Sequence, residues 1–263
     1  MYPILPMRSL GPPQPPRPQA ENARQSPNPR HARSTMPSPQ PSALAALPYA
    51  PPRDDGIDIV YGDAALLLVN KPAGLLAVPG RGDGKDDCLL RRVQAVVADA
   101  LIVHRLDLHT SGLLLLARGR EMQRRLAGDF AARRVHKRYL AVVAGRLPAD
   151  SGTIDLPLAA DWPQRPRQKV DRLTGKPSLT RYQVLGHDPV SNRSRLALFP
   201  ETGRTHQLRV HLQALGHVIV GDLLYGDASA ASGADRLLLH ADQLRFLHPA
   251  SGHDLCVDSP APF

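Results

Sequence analysis

Cys88 and Cys256 are the chain's only cysteines, and they lie far apart with no metal-ligand spacing. That excludes a disulfide framework or a zinc ribbon as the organising device and leaves both as small core or surface residues. A secretory apolar segment and a bilayer-length apolar run are also missing, so the expected location is the cytoplasm. The N-terminal stretch has few aromatics, few acids and no sustained apolar period, yet residues 1 to 52 hold 15 of the 27 prolines. Such a composition buries too little apolar surface to offset the entropy of ordering it. The expectation is a disordered, proline-rich tail over residues 1–54. Its arginine-rich, acid-poor character is similar to an organelle transit peptide, but "PPQPPRPQ" would break the amphipathic helix such a peptide needs. Met36 is an alternative start, since nothing before it forms a recognisable element.

The remaining residues, 55–263, suit one catalytic-size domain. Basic side chains outnumber acids by nine, and removing the tail's five Arg and one Glu leaves the body at plus five. A basic body favours a polyanionic partner. There is no internal repeat. "IDIVYGD" and "ALLLVNKPAG" read as two short strands, the second closing in a Pro-Gly turn. Residues 87 to 98 read as a helix, and "GLLLLAR" as a strand buried on both faces by its continuous apolar run. Met122, Leu126 and Phe130 recur every fourth residue and predict an amphipathic helix from Glu121 to Arg134. "KRYLAVVAG", "LTRYQVLGH" and "SRLALFPETGR" read as strands. "DWPQRPRQKVDRLTGKPS" reads as a basic, aromatic-bearing loop with a turn at Thr174-Gly175. "THQLRVHLQALG" reads as a helix with Thr205 near its start and Gly216 as its stop, and "RLLLHADQLRFLHP" as a closing strand or strand pair. Strands outnumber helices without alternating strictly with them, so the fold class is α+β with a mostly antiparallel mixed sheet and flanking helices.

Few residue constellations in this chain carry chemistry. "VPGRGDGKDD" imitates a phosphate loop, but the spacing before Lys85 is wrong and Asp86 stands where Ser or Thr should hold magnesium. "HRLDLHTSG", residues 104 to 112, puts one carboxylate, Asp107, among Arg105, His104 and His109. An acid near cations keeps its charge when partly buried, as a carboxylate nucleophile must, although an Asp in a turn is more often a local hydrogen-bond acceptor. A serine hydrolase built on Ser111 would lack the G-x-S-x-G elbow. His206 and His211 are five apart and fall on different helix faces, unlike the pair of a zincin helix. A glycosidase would need a second carboxylate in a comparable setting, and none stands out. No metal and no cofactor is expected.

"HRLDLHTSG" resembles the catalytic motif of the RluA family of RNA pseudouridine synthases. "NKPAGLLAVPGR" at 70 to 81, "KRYLAVVAG" at 137 to 145 and "PETGRTHQLRVHLQALGHVIVGDLLYG" at 200 to 226 agree with that family in order and spacing, although Val218 stands where the family usually has proline. The resemblance spans residues 57 to 263 and is strongest to the short branch without an S4 RNA-binding domain. "VPGR", "DWPQRPRQKV" and "TGKP" are similar to a dual-specificity member, which implies uridine 746 of 23S rRNA and uridine 32 of the tRNA anticodon loop as targets.

The resemblance implies Asp107 as the catalytic aspartate, Tyr139 as the active-site tyrosine and Arg209 as the arginine that pairs with the aspartate. It implies that Arg105 fills the stack vacated by a flipped base. Lys71 and Pro72 match a structural motif. Arg124 and Arg125, within the basic stretch from Arg118 to Arg138, and Arg165, Arg167 and Lys169 are candidate RNA contacts, with a solvated helix face and a polar loop as the alternative. The expected partners are 23S rRNA, tRNA or both, with no membrane, and the expected state is a monomer. The competing functions are a catalytically idle RNA-binding or ribosome-assembly factor on the same fold, and a tail that serves as a proline-rich ligand.

Overall fold

The structure is a computed structural model and describes residues 49–263. The expected tail over residues 1–54 therefore lies outside the described residues except for 49–54, which are fastened to the domain. Tyr49 donates its hydroxyl proton to the Asp87 carbonyl and accepts the Leu76 N–H, while Arg92 donates to the Pro52 carbonyl at 2.7 Å.

The N-terminal part of the domain comprises β1 (Ile59–Gly62), β2 (Leu66–Lys71), α1 (Leu89–Val96), β3 (Ala100–Ile102), β4 (Ser111–Arg118) and α2 (Gly119–Ala131). Successive side chains of a strand point to opposite faces. Along β4, Leu114 and Leu116 enter one apolar cluster with Leu89 and Val93 of α1, while Leu113, Leu115 and Ala117 enter another with Leu126 of α2. β2 divides in the same way, with Leu67 and Val69 on one side and Leu66 and Leu68 on the other. A strand with a helix over each face has to be apolar throughout, which is the physical content of the "LLLL" run. α2 ends earlier than its periodicity suggests because Arg133 adopts a left-handed conformation at φ 58°.

The C-terminal part adds β5 (His136–Ala144), β6 (Ser151–Asp155), β7 (Leu158–Ala160), β8 (Gln168–Val170), β9 (Leu179–Asp188), β10 (Arg193–Pro200), α3 (Gln207–Ala214), the short α4 (Ala228–Ser232), β11 (Leu239–Leu247) and β12 (Asp254–Asp258). Leu208 and Leu212 of α3 pack on Ala141 and Val143 of β5 and Leu196 and Leu198 of β10, forming a third apolar cluster. α3 stops as expected. Gly216 sits at φ 83°, its N–H reaches the Gln213 carbonyl, and the His217 N–H reaches Leu212, which together close a Schellman motif.

Among the described residues ten strands make one sheet in the order β1-β2-β4-β11-β5-β10-β9-β6, with β3 on β4 and β12 on β11. Every pairing in it is antiparallel except β4 with β11, where Ser111 faces His240 and Gly112 faces Ala241. The class is α+β, as expected. The basic segment 161–178 is more ordered than a loop: β7 and β8 form a two-stranded sheet that frames a 3₁₀ turn at Trp162–Gln164. The turn at Thr174 is held by Asp171, whose carboxylate accepts from the Leu173 and Thr174 N–H groups and from the Thr174 hydroxyl.

The parallel junction fixes where the "HRLDLHTSG" loop enters the sheet. Gly112 has φ 109°, and a Cβ there would run into the Ala241 backbone. Both the dihedral and the close approach require glycine. Gly112→Ala is expected to cost about 2 kcal/mol or more, read as a melting temperature several degrees lower; an unshifted melt would contradict this account of the junction.

Candidate active site

A cleft of about 960 Å³ opens between the "HRLDLHTSG" loop, the end of α2, β5 and the turn leading into α3. Asp107, Arg105, Tyr139 and Arg209 all line it, so residues far apart in sequence converge on one site. Asp107 is half-buried, and its carboxylate makes no hydrogen bond or ion pair among the described residues. Its backbone carbonyl accepts the Thr110 N–H at 3.2 Å, closing a turn.

Lys71 fixes that turn from below. It is buried, and its ammonium donates to the carbonyls of Pro72 (2.9 Å), Leu75 (2.7 Å) and Leu108 (3.0 Å), using all three protons. The Gly74 N–H also donates to Leu108. Burial pulls the Lys71 pKa down to about 7, while the charge of Asp107 opposes that shift. The Pro-Gly turn after β2 and the residue following Asp107 are thus held by one side chain.

The pairing expected between Arg209 and Asp107 is not what the structure contains. Arg209, buried on α3, spends its fork on Asp222, with Nε and one terminal nitrogen at 2.8 and 2.7 Å from the two carboxylate oxygens. A planar guanidinium matches a carboxylate edge-on, and Asp222 is itself fully buried, so the two satisfy each other. Burial works against the charge of Arg209, but the bidentate bond and the charges of Asp222 and Asp107 hold its pKa above the ordinary value. Burial likewise works against Asp222, and Arg209 with the N–H groups of Tyr225 and Leu224 keeps its carboxyl below the usual range. Asp107 therefore feels Arg209 as a field inside the cleft without forming a bond to it.

Tyr139, on β5, packs between two apolar clusters. Burial, followed by the charge of Asp107, pushes its phenol well above the ordinary value, so it stays neutral. Tyr225 links the far side of the site. Its hydroxyl accepts the Gln168 N–H at 2.7 Å and shares a 2.7 Å hydrogen bond with His206 Nδ1, and the Arg209 guanidinium lies 5.0 Å from its ring centroid.

The histidines of the motif now separate. His104 is a scaffold residue: it stacks on Phe130 at 4.5 Å, and Nε2 accepts the Leu115 N–H at 2.9 Å. Burial, then the charge of Lys137, lowers its pKa to about 3, so the ring is neutral and free to accept. His109 is pushed down by burial and by Arg209 and Lys71. Ser111 does meet a histidine, with Oγ 2.8 Å from His240 Nδ1, but both are buried in the sheet junction, Arg236 also donates to the hydroxyl, and His240 Nε2 turns to the Ser259 carbonyl. That arrangement clamps the junction and exposes no nucleophile. His206 and His211 part company as expected, the second contacting Thr180 and the Leu156 carbonyl.

Of the candidate RNA contacts, only Arg105 lines the cleft; its head is exposed and makes no hydrogen bond or ion pair among the described residues. Arg124 and Arg125 lie off it on α2, the latter held by Glu121 and the Pro249 carbonyl. Arg165, Arg167 and Lys169 belong to the β7–β8 unit, which sends only Pro166 to the wall. Arg133 and Lys137 reach the cleft from the basic stretch, and Arg204, which sequence reasoning passed over, reaches it from "ETGR". A second acid is present as well. Glu201 lines the cleft, but Arg181 neutralises it at 2.5 Å, which sets it apart from Asp107.

Comparison with known proteins agrees with this geometry. A family model described as RNA pseudouridylate synthase matches residues 65–214. The dual-specificity RNA pseudouridine synthase RluA of Vibrio cholerae is 48% identical over 208 residues, covering 79% of this chain and 84% of the relative. The Escherichia coli K12 protein of the same name is 45% identical, covering 82% and 98%. Among solved structures, human RNA pseudouridylate synthase domain containing 1 aligns with a TM-score of 0.69 at 34% identity, over 81% of this chain and 87% of that one.

The Arg209–Asp222 pair generates a measurable expectation. Arg209→Ala and Asp222→Ala should each cost about 3 to 5 kcal/mol by stranding a buried charge, and the double variant should cost less than their sum. Urea unfolding of the three variants checks this; additive losses would contradict the pairing.

Proposed function

The chain belongs to the RNA pseudouridylate synthase family, and from that premise we propose that it isomerises uridine 746 of 23S rRNA and uridine 32 of the tRNA anticodon loop, acting as a cytoplasmic monomer. The observation that carries the reading is Asp107, a carboxylate with no hydrogen bond or ion pair among the described residues, in a cleft lined by cations and apolar side chains. Support for two stem-loop targets comes from the relatives named for dual specificity and from "DWPQRPRQKV" and "TGKP".

Isomerisation breaks the bond from ribose C1′ to uracil N1, turns the base and joins C1′ to C5, with the C5 proton lost and one proton gained at N1. Water must be kept from C1′ throughout. The Asp107 oxygen adds to C1′ as N1 departs, or removes the 2′ proton to give a glycal; each route uses the ionised carboxylate. Lys71, with its three donors on backbone carbonyls, and Arg209, held edge-on by Asp222 through Nε and one terminal nitrogen, supply positive field around it with no direct bond to its carboxylate among the described residues. Leu106 and Leu208, both buried in the wall, exclude water.

Reaching C1′ in a folded loop requires extruding the nucleotide. Arg105, with its exposed head in the cleft lining, occupies the emptied stack, and Arg133, Lys137 and Arg204 meet phosphate. Tyr139 stacks on the extruded uracil. Its elevated pKa disfavours the phenolate that a base at C5 would need.

Pseudouridine maps of total RNA with and without the gene test the targets: both uridines lose the modification on deletion, and unchanged maps refute the assignment. With stem-loop RNAs of either sequence, Tyr139→Phe keeps kcat/KM near wild type and Tyr139→Leu loses about tenfold or more, the worth of one stacked base. An inactive Tyr139→Phe enzyme would restore proton transfer to the hydroxyl.

A further inference from the structure

Trp162 is the chain's one tryptophan, and it is 67% exposed on the turn between β7 and β8. Burying an indole is worth more than burying almost any other side chain, so leaving it in water needs a reason. The Arg165 guanidinium lies over the ring 3.8 Å from its centroid. Residues 161–178 carry five basic side chains, Arg165, Arg167, Lys169, Arg172 and Lys176, and two acidic ones, Asp161 and Asp171, and the Asp171 carboxylate is engaged in the Thr174 turn. The turn is preorganised: Asp161 N–H donates to the Arg167 carbonyl, Gln164 N–H to Asp161, and Arg167 N–H to Gln164, each at 3.0 Å.

The same turn reaches the active site. Pro166 lines the cleft, and four residues of chain span at most about 14 Å. Gln168 is tied through the Tyr225 hydroxyl to His206, another cleft residue. A rigid, basic unit with one exposed aromatic face beside a nucleotide-sized cleft has the features of a base-stacking platform: cations for the backbone and a π-face for the base.

We propose that Trp162 is a second nucleobase subsite, stacking an unpaired base that flanks the target uridine, with Arg165 backing the ring. This rests on the reading of the cleft as a pseudouridine synthase site and extends it to how the RNA loop is positioned. The subsite tolerates any base but requires one to be unpaired, so it selects loops over helices.

The single tryptophan makes the test direct. The probe is a stem-loop RNA that the enzyme isomerises, bound to Asp107→Ala protein so that no turnover occurs. Tryptophan fluorescence is quenched on binding, and an abasic residue at one loop position beside the target removes the quench. Trp162→Leu binds the same RNA about tenfold or more weakly with an unchanged melting temperature, and Trp162→Phe recovers most of the affinity. Failure to isomerise any stem-loop refutes the function proposed for the cleft. An RNA that is isomerised and bound without quenching, or bound equally well by Trp162→Leu, overturns the subsite.

Discussion

Burying Arg209 removes a guanidinium from water at a cost that only a partner of opposite charge and matching shape offsets, and the loop after α3 is built to deliver that partner. Asp222 takes the fork of Arg209 with both oxygens and also accepts the N–H groups of Leu224 and Tyr225. The ion pair therefore shapes the backbone that presents Tyr225, and Tyr225 in turn holds His206 and the start of β8. One wall of the cleft hangs on this chain of contacts. Asp222 fixes the orientation of the Arg209 fork through Nε and one terminal nitrogen, and the positive charge of the arginine reaches Asp107 with no hydrogen bond between the two among the described residues.

Lys71 does the corresponding work beneath the turn that carries Asp107. Its ammonium is saturated by three backbone carbonyls, one of them on Leu108, the residue after Asp107. The parallel contact of Ser111 and Gly112 with β11 then fixes the exit of the same loop. Asp107 is thus held through its neighbours' backbone on both sides while its own side chain makes no hydrogen bond or ion pair among the described residues, which the role proposed for it, bonding to ribose and releasing it again, requires.

The sequence was most legible where local physics decides the outcome. The alternating cluster membership of β4 follows from four consecutive leucines, and the end of α3 follows from Gly216, because only apolar periodicity and a positive φ were needed. The partner of Arg209 was not legible, since the pairing expected for it was with Asp107 and the choice among acids is made by tertiary packing. A signal did exist: Asp222 interrupts the apolar run "HVIVGDLLYG", and a lone acid there has to be buried with a cation. Arg204 escaped notice for the opposite reason, an exposed arginine in a turn having no pattern to mark it. The short strands β3, β6, β7, β8 and β12 also went unseen; each is defined by the neighbour it pairs with more than by its own residues. Arg124 and Arg125 show the limit of reading charge runs, because helix phase carried them away from the cleft while the left-handed Arg133 was turned toward it.

The central claim is that one uncommitted, ionised carboxylate performs the isomerisation on a scaffold that does not depend on it. Asp107→Asn changes charge without changing shape, so comparing its melting temperature, stem-loop RNA affinity and pseudouridine yield with wild type separates chemistry from architecture. The account predicts a cooperative melt lowered only by the lost attraction of Asp107 for Lys71 and Arg209, retained binding and no product; product formed at a rate near that of wild type would contradict it.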